Sequence, residues 1–129
     1  MKVLVVDDSS TMRRILTNCV KDAGHDEVLQ AADGVEGLSV LKKEGDVGLV
    51  FLDWHMPNMD GFTMLQEVKA DADIKDTPII MCTTQAEKQS VMDALKTGAN
   101  NYIVKPFTAA TLNEKIEKIF ERVAQRQQA

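Results

Sequence analysis

The chain has 129 residues, 44% of them hydrophobic, and carries a formal net charge of −5. This length and composition favour one folded domain over a disordered chain, so we expect residues 1–129 to form a single domain. The negative charge argues against binding to nucleic acid or to a membrane surface. No apolar stretch is long enough to span a membrane and none resembles a signal peptide. The two cysteines, Cys19 and Cys82, are predicted to be buried thiols, as expected of a cytoplasmic protein.

Five apolar runs, each ending at polar or turn residues, are predicted β-strands. They span residues 2–6, 27–31, 47–52, 77–82 and 101–104. Apolar residues at helical spacing follow each run and predict five helices. Capping residues mark several helix starts, namely Ser9 or Ser10, Asp33 and Asp60. Residues 125–129 lie beyond the last apolar position and are expected to be a frayed tail.

The alternation of strands and helices predicts an α/β fold, a doubly wound five-stranded parallel sheet with helices on both faces. The first, third and fourth runs are the most uniformly apolar and therefore belong at the centre of the sheet, whereas the second and fifth belong at its edges. With right-handed crossovers, the strand order is 2-1-3-4-5. This is the known order of the flavodoxin-like fold, so the prediction matches an established pattern.

Polar side chains follow four of the five predicted strands. Asp7 and Asp8 come after the first strand, Asp53 after the third, Thr83 after the fourth and Lys105 after the fifth. Because parallel strands all end at the same edge of the sheet, these five side chains are expected at one rim, where ligands bind in open α/β sheets. Each residue alone has an ordinary explanation as a helix cap, a turn residue or a solvated lysine. Their coincidence at one rim favours a functional site.

The carboxylates of this set predict a divalent cation site. Neighbouring strands lie about 5 Å apart, so Asp7, Asp8 and Asp53 can share one ion, which relieves their mutual repulsion. Oxygen ligands without a paired His or Cys favour Mg²⁺, or Mn²⁺, over zinc. We predict Asp8 and Asp53 as direct ligands and Asp7 as a ligand through water, with the main-chain carbonyl of His55 completing the site.

The same rim is suited to phosphoryl transfer. A carboxylate can be the nucleophile that accepts a phosphoryl group, and we assign this role to Asp53. Thr83 and Lys105 would hold the phosphoryl oxygens.

These residues together resemble the pattern of two-component receiver domains, and in particular of stand-alone chemotaxis response regulators. The resemblance covers essentially the whole chain. It rests on Asp7-Asp8, Asp53, Thr83, Lys105-Pro106-Phe107, Trp54, the run 56–61 and Tyr102.

The resemblance implies Mg²⁺-dependent transfer of phosphate from a sensor histidine kinase to Asp53, followed by slow self-catalysed hydrolysis that a phosphatase partner could accelerate. It also implies a relay in which Thr83 moves toward the phosphoryl group and Tyr102 turns inward. The surface of the fourth helix, fifth strand and fifth helix would then change and meet a flagellar motor switch protein. We expect this protein to be a monomer. In the family it resembles, the bond between Lys105 and Pro106 is typically cis.

The chain departs from the common chemotaxis pattern at His55, Thr84 and Gln85. All three positions would flank the phosphoryl group and are expected to modulate its lifetime and access. We expect Thr84 to narrow access to the site, so Thr84→Ala should speed phosphorylation by a small-molecule donor.

Four alternative functions can be compared with this one. A stand-alone receiver could pass phosphate along a relay instead of acting on a motor. A phosphohydrolase with an aspartyl intermediate would need an acid two residues beyond the nucleophile, where His55 could serve. A flavodoxin-like electron carrier is disfavoured because Asp7-Asp8 would repel the flavin phosphate, and a colourless purified protein would exclude it. The length disfavours a fused DNA-binding domain.

Lys88 and Lys115 lie on the fourth and fifth predicted helices and give the surface expected to bind the partner positive charge. This charge suits an acidic partner segment.

Overall fold

Five parallel strands form one sheet in the order β2-β1-β3-β4-β5, which confirms the predicted fold class and strand order. The computed structural model describes residues 2–84, 88–105 and 109–128. The strands are β1 Lys2–Val6, β2 Val28–Ala31, β3 Val47–Asp53, β4 Ile79–Thr84 and β5 Asn101–Lys105. Helices separate consecutive strands and follow the last one. They are α1 Ser10–Asp22, α2 Gly34–Glu44, α3 Gly61–Ala70, α4 Lys88–Thr97 and α5 Ala109–Gln128.

The first three helices begin at the capping residues that the sequence predicts. The side chains of Ser9, Asp33 and Asp60 each accept a hydrogen bond from the backbone N–H three residues later, at 3.2, 2.9 and 2.8 Å. These bonds satisfy N–H groups that have no partner inside the helix. As a result, the residues just before α1 and α3 sit in defined turns at the carboxyl edge of the sheet.

The fourth strand is shifted from its predicted position. The apolar run predicted a strand over 77–82, whereas β4 spans Ile79–Thr84. Pro78 has no N–H to donate to the ladder, so pairing with the neighbouring strand starts after it. Thr83 and Thr84 are β-branched and continue the ladder opposite the last two residues of β5. Thr83 is therefore inside the strand and not in the loop that follows it.

The last helix extends into the predicted tail. α5 continues to Gln128, and the expected fraying of residues 125–129 stays a prediction. The last residues are mostly Gln, Arg and Ala, which favour helix without needing an apolar face.

The core has two layers, one on each side of the sheet. Val3, Val5, Leu49 and Phe51 pack with α1 and α5, whereas the residues that alternate with them, such as Leu52, pack with α2 and α3. Because both faces of the central strands are covered, these strands are apolar at nearly every position. Cys19 and Cys82 are buried free thiols, as predicted, and burial raises the pKa of Cys82 to about 12. Among residues 2–84, 88–105 and 109–128, no helix is both long and apolar enough to cross a bilayer.

Candidate functional site

The ends of β1, β3 and β5 bring three predicted site residues to one edge of the sheet. Asp7 directly follows β1, while Asp53 and Lys105 are the last residues of β3 and β5. β4 lies between these two strands, with Cys82 opposite Asp53 and Thr84 opposite Lys105. The lysine side chain therefore reaches across the end of β4 toward the carboxylates.

Three carboxylates meet at this edge. One oxygen from each of Asp7, Asp8 and Asp53 lies within 4.8 Å of the others, in a grouping that could hold a metal ion. Asp7 and Asp53 are only 1% and 8% exposed, whereas Asp8 faces solvent. The cluster thus combines two buried carboxylates with one that is open to water. All of its side-chain ligands are oxygen atoms, and this donor set fits a hard cation such as Mg²⁺ or Mn²⁺.

One lysine donates hydrogen bonds to both buried carboxylates. The Lys105 Nζ donates to Asp53 Oδ1 at 2.8 Å and to Asp7 Oδ2 at 3.1 Å. Burial lowers the pKa of Lys105, but the hydrogen bond and charge of Asp53 outweigh it, so this pKa is raised and the ammonium stays charged. Burial raises the pKa of Asp53, and the charges of Asp7 and Asp8 add to that rise, which Lys105 only partly offsets. The side chains alone therefore leave the site short of positive charge.

Asp7 is held by hydrogen bonds on every polar group. Its N–H donates to the Ala31 carbonyl at 3.1 Å, and its Oδ1 accepts from the Ser9 N–H at 2.8 Å. Its main-chain carbonyl accepts from Arg13 Nη1 at 2.6 Å. Sequence reasoning did not single out Arg13, because an arginine on a helix gives no local signal that its side chain will turn back to the preceding strand.

The loop between β3 and α3 approaches Asp53 closely. The Gly61 N–H donates to the Trp54 carbonyl at 2.8 Å, and a Cβ on Gly61 would lie 2.1 Å from the Asp53 carbonyl oxygen. Only glycine fits at this approach. His55 lies in the same loop with its side chain exposed, and its predicted role as a carbonyl ligand remains a prediction.

A second contact ties this loop to α2. Asn58 adopts a left-handed backbone conformation with φ 67°, and its Nδ2 donates to the Asp33 carboxylate at 2.7 Å. The sequence predicts Asp33 only as a helix cap. It gives no signal of the Asn58 contact because the two residues are distant in the chain and meet only through the packing of the loop on α2.

Thr83 and Tyr102 lie on neighbouring strands beside a groove next to the acidic cluster. Thr83 is 2% exposed, and Tyr102 is half-buried, with Lys115 Nζ 4.8 Å from the centre of its ring. The groove has a volume of about 250 Å³ and separates α4 from the end of the sheet. Its lining includes Thr83, Thr84, Val91, Met92, Leu95 and Tyr102.

The surface beside this groove carries exposed apolar side chains. Met92 and Leu95 are 52% and 36% exposed, although both lie on the apolar face that predicted α4. The periodicity of the helix therefore marks a partly exposed groove wall as well as the core. Three residues of the predicted pattern, Gln85, Pro106 and Phe107, lie outside the described residues.

Four known proteins are similar to this chain in sequence or in structure. Chemotaxis protein CheY-3 of Vibrio cholerae is 49% identical over 123 residues, which cover 95% of this chain and 94% of that protein. A chemotaxis protein CheY homolog of Campylobacter jejuni is 52% identical over 119 residues, covering 92% of each. The solved structure of CheY4 of Vibrio cholerae has a TM-score of 0.82 and 36% identity, over 92% of this chain and 97% of that one. The receiver domain of NtrX from Brucella abortus has a TM-score of 0.81 and 30% identity, over 93% and 98%.

The fold and the acidic site together place the chain among two-component signalling proteins. Residues 3–117 match the response regulator receiver domain family, and the chain belongs to that family. The predicted likeness to chemotaxis regulators is confirmed, so this is a CheY-like receiver domain.

Proposed function

We propose that this protein is a phosphorylation switch that accepts a phosphoryl group on Asp53 from a sensor histidine kinase. One observation carries the proposal. The buried Asp53 carboxylate lies 2.8 Å from the Lys105 ammonium and within a cluster of three carboxylates. A structural ion pair would need one carboxylate for one lysine, whereas this site gathers an excess of negative charge that a bound cation and a phosphoryl group could use.

A divalent cation would be held by the carboxylates of Asp7, Asp8 and Asp53, with the His55 main-chain carbonyl as the further predicted ligand. The oxygen donor set fits Mg²⁺, and Mn²⁺ is an alternative. When bound, Mg²⁺ supplies positive charge that the side chains alone do not provide and that phosphoryl oxygens require.

The side chains of the protein have separate tasks in the transfer. An oxygen of Asp53 would bond to phosphorus while the bond from phosphorus to the histidine nitrogen of the kinase breaks, and that nitrogen keeps the electron pair. Lys105 and Thr83 would hold phosphoryl oxygens by hydrogen bonds. In the later dephosphorylation, water would attack phosphorus, release inorganic phosphate and restore the Asp53 carboxylate. Thr84, His55 and Gln85 are proposed to tune access and lifetime.

The groove beside α4 is the proposed place where phosphorylation would change the partner-binding surface. Thr83 and Tyr102 both line it, so a movement of Thr83 toward Asp53 would change the space available to the Tyr102 ring. Exposed apolar side chains on α4 and the cations Lys88 and Lys115 suit an acidic, partly apolar partner segment. Because the relatives are chemotaxis proteins, we propose the flagellar motor switch protein as that partner.

We further propose that residues 1–129 act as one receiver domain, monomeric in the cytoplasm, where the kinase, the motor switch and a phosphatase would be encountered. A role in a phosphate relay is the alternative output. It would be favoured if the phosphorylated protein transferred its phosphoryl group to a second histidine and did not bind the motor switch.

Trp54 provides the test, because it adjoins Asp53 and stacks on Phe62 with ring centres 5.3 Å apart. We expect its fluorescence to change when Mg²⁺ is added and again when a small phosphodonor or fluoroberyllate follows. Asp53→Asn should abolish the second change. Asp73→Asn, the same replacement at an exposed residue of another loop, should keep both changes. A second change that persists in Asp53→Asn would contradict the proposal, and multiple turnover of simple phosphate esters would favour a phosphohydrolase instead.

A further inference from the structure

Arg13 links three elements beside the acidic cluster. It lies in the first part of α1, half-buried, and its Nη1 donates to the main-chain carbonyl of Asp7 at 2.6 Å. Its Nε donates to the Gln30 side chain on β2 at 3.2 Å. The planar guanidinium can make both bonds at once because its N–H groups point in fixed directions. It therefore joins α1 to the end of β1 and to the neighbouring strand.

The bond to Asp7 completes the restraint of that residue. The other polar groups of Asp7 are held by Ala31, Ser9 and Lys105, and its side chain is only 1% exposed. The carbonyl is the point at which the chain leaves β1 and turns toward Asp8 and α1. A hydrogen bond from a charged donor is stronger than a neutral one, so Arg13 is well suited to fix this turn.

We propose that Arg13 is a positioning residue that fixes the turn between β1 and α1 so that Asp7 and Asp8 present their carboxylates to a divalent cation. The inference rests on the proposed function, because it concerns the same cation site. Magnesium demands a narrow range of ligand positions, and groups that orient metal ligands typically change metal affinity by about 10- to 100-fold when they are removed. Arg13 acts on the cation through the backbone of Asp7 and does not touch it.

The charge of Arg13 has the opposite effect from its hydrogen bonds. A cation beside the carboxylates repels a bound metal ion, so removal of that charge alone would tighten Mg²⁺ binding. Loss of the hydrogen bonds would let the turn relax and would weaken binding. The direction of the change in affinity therefore separates the two effects.

Mg²⁺ binding measured by calorimetry tests the inference on the full chain. Arg13→Gln should raise the Mg²⁺ dissociation constant about tenfold. Arg13→Lys keeps the charge but cannot span Asp7 and Gln30 in the same way, so it should also raise the constant, without the partial compensation that loss of the charge gives in Arg13→Gln. Arg14→Gln is the matched control, because it removes the same charge from the exposed adjacent position. It should leave the constant unchanged or lower it slightly.

The metal-free unfolding transition of each variant shows whether it is folded before metal is added. Arg13→Lys preserves the test should Arg13→Gln fail to fold. Wild-type or tighter Mg²⁺ affinity in a folded Arg13→Gln or Arg13→Lys variant would overturn this inference and leave the proposed function standing. A wild-type protein that binds no Mg²⁺ at millimolar concentration would instead overturn the proposed function.

Discussion

Lys105 shows how a single side chain balances stability against function. Its ammonium donates to both Asp7 and Asp53, and Asp8 adds a third carboxylate nearby. Burial raises the pKa of Asp53, and the charges of Asp7 and Asp8 add to that rise even though the lysine opposes it. A second positive side chain would relieve the repulsion among the carboxylates but would also repel a bound cation. The excess negative charge is thus the physical basis of the proposed affinity for Mg²⁺.

At the same scale, His25 predicts a dependence of stability on pH. Its ring stacks on Phe120 of α5 with centres 3.8 Å apart, and burial lowers its pKa below 6.5, an effect that Asp26 only partly opposes. The unfolded chain keeps the ordinary pKa, so between the two values it binds more protons than the folded protein. The contribution of His25 to the free energy of unfolding is therefore fully present above pH 6.5 and is lost as the pH falls below it.

Urea unfolding across this pH range measures the effect. His25→Phe keeps an aromatic ring on Phe120 but cannot be protonated, so it should show a smaller loss of unfolding free energy on acidification than the wild type. His55→Gln, at an exposed position, serves as the control and should retain the wild-type loss. The same loss in His25→Phe as in the wild type would show that other groups cause it.

At the scale of elements, the loop between β3 and α3 is held against the sheet by Gly61. A Cβ at this position would lie 2.1 Å from the Asp53 carbonyl oxygen, which belongs to the backbone and cannot move aside cheaply. We expect Gly61→Ala to lower the free energy of unfolding by about 2–3 kcal/mol. Because the displaced backbone carries Asp53, Mg²⁺ affinity should fall as well.

Gly45→Ala is a suitable control for this substitution. Gly45 has a positive φ of 74° and open space around it, so the alanine costs only backbone strain, about 1 kcal/mol. It ends α2 near the edge of the sheet where the strands begin, opposite the edge that carries the carboxylates. Mg²⁺ affinity should therefore not change. Chemical denaturation and metal titration of both variants check the prediction, which fails if Gly61→Ala binds Mg²⁺ as the wild type does.

At the scale of the whole molecule, β3 connects the two core layers. Leu49 and Leu52 are both fully buried on this strand, but Leu49 packs with α1 and α5 and Leu52 packs with the opposite layer. Leu49→Ala and Leu52→Ala should each lower the free energy of unfolding of the protein by about 3–4 kcal/mol. Since the central strands are shared by both layers, each variant should still unfold in one transition.

Fluorescence and circular dichroism during urea unfolding show whether the two core layers unfold together or separately. Trp54 reports on the layer that contains Leu52, whereas circular dichroism reports on all helices. Coincident curves in both variants are expected. Separate transitions in Leu49→Ala would mean that the layer formed by α1 and α5 unfolds independently of the sheet.

The sequence alone determined the elements, the strand order and the edge at which the site lies. Apolar periodicity and capping residues are local signals, and parallel strands must all end at the same edge of the sheet. Asp7, Asp8, Asp53 and Lys105 could therefore be predicted as neighbours from where their strands stop.

Only the tertiary structure decided how the side chains at that edge are paired. Lys105 and Asp7 are 98 positions apart in the chain, and their 3.1 Å contact depends on how far each strand extends past its neighbours. The hydrogen bonds from Arg13 to the Asp7 carbonyl and from Asn58 to Asp33 likewise depend on how the elements pack. Such hydrogen bonds depend on the packing of whole elements, whereas periodicity within one element reports only which of its faces is apolar.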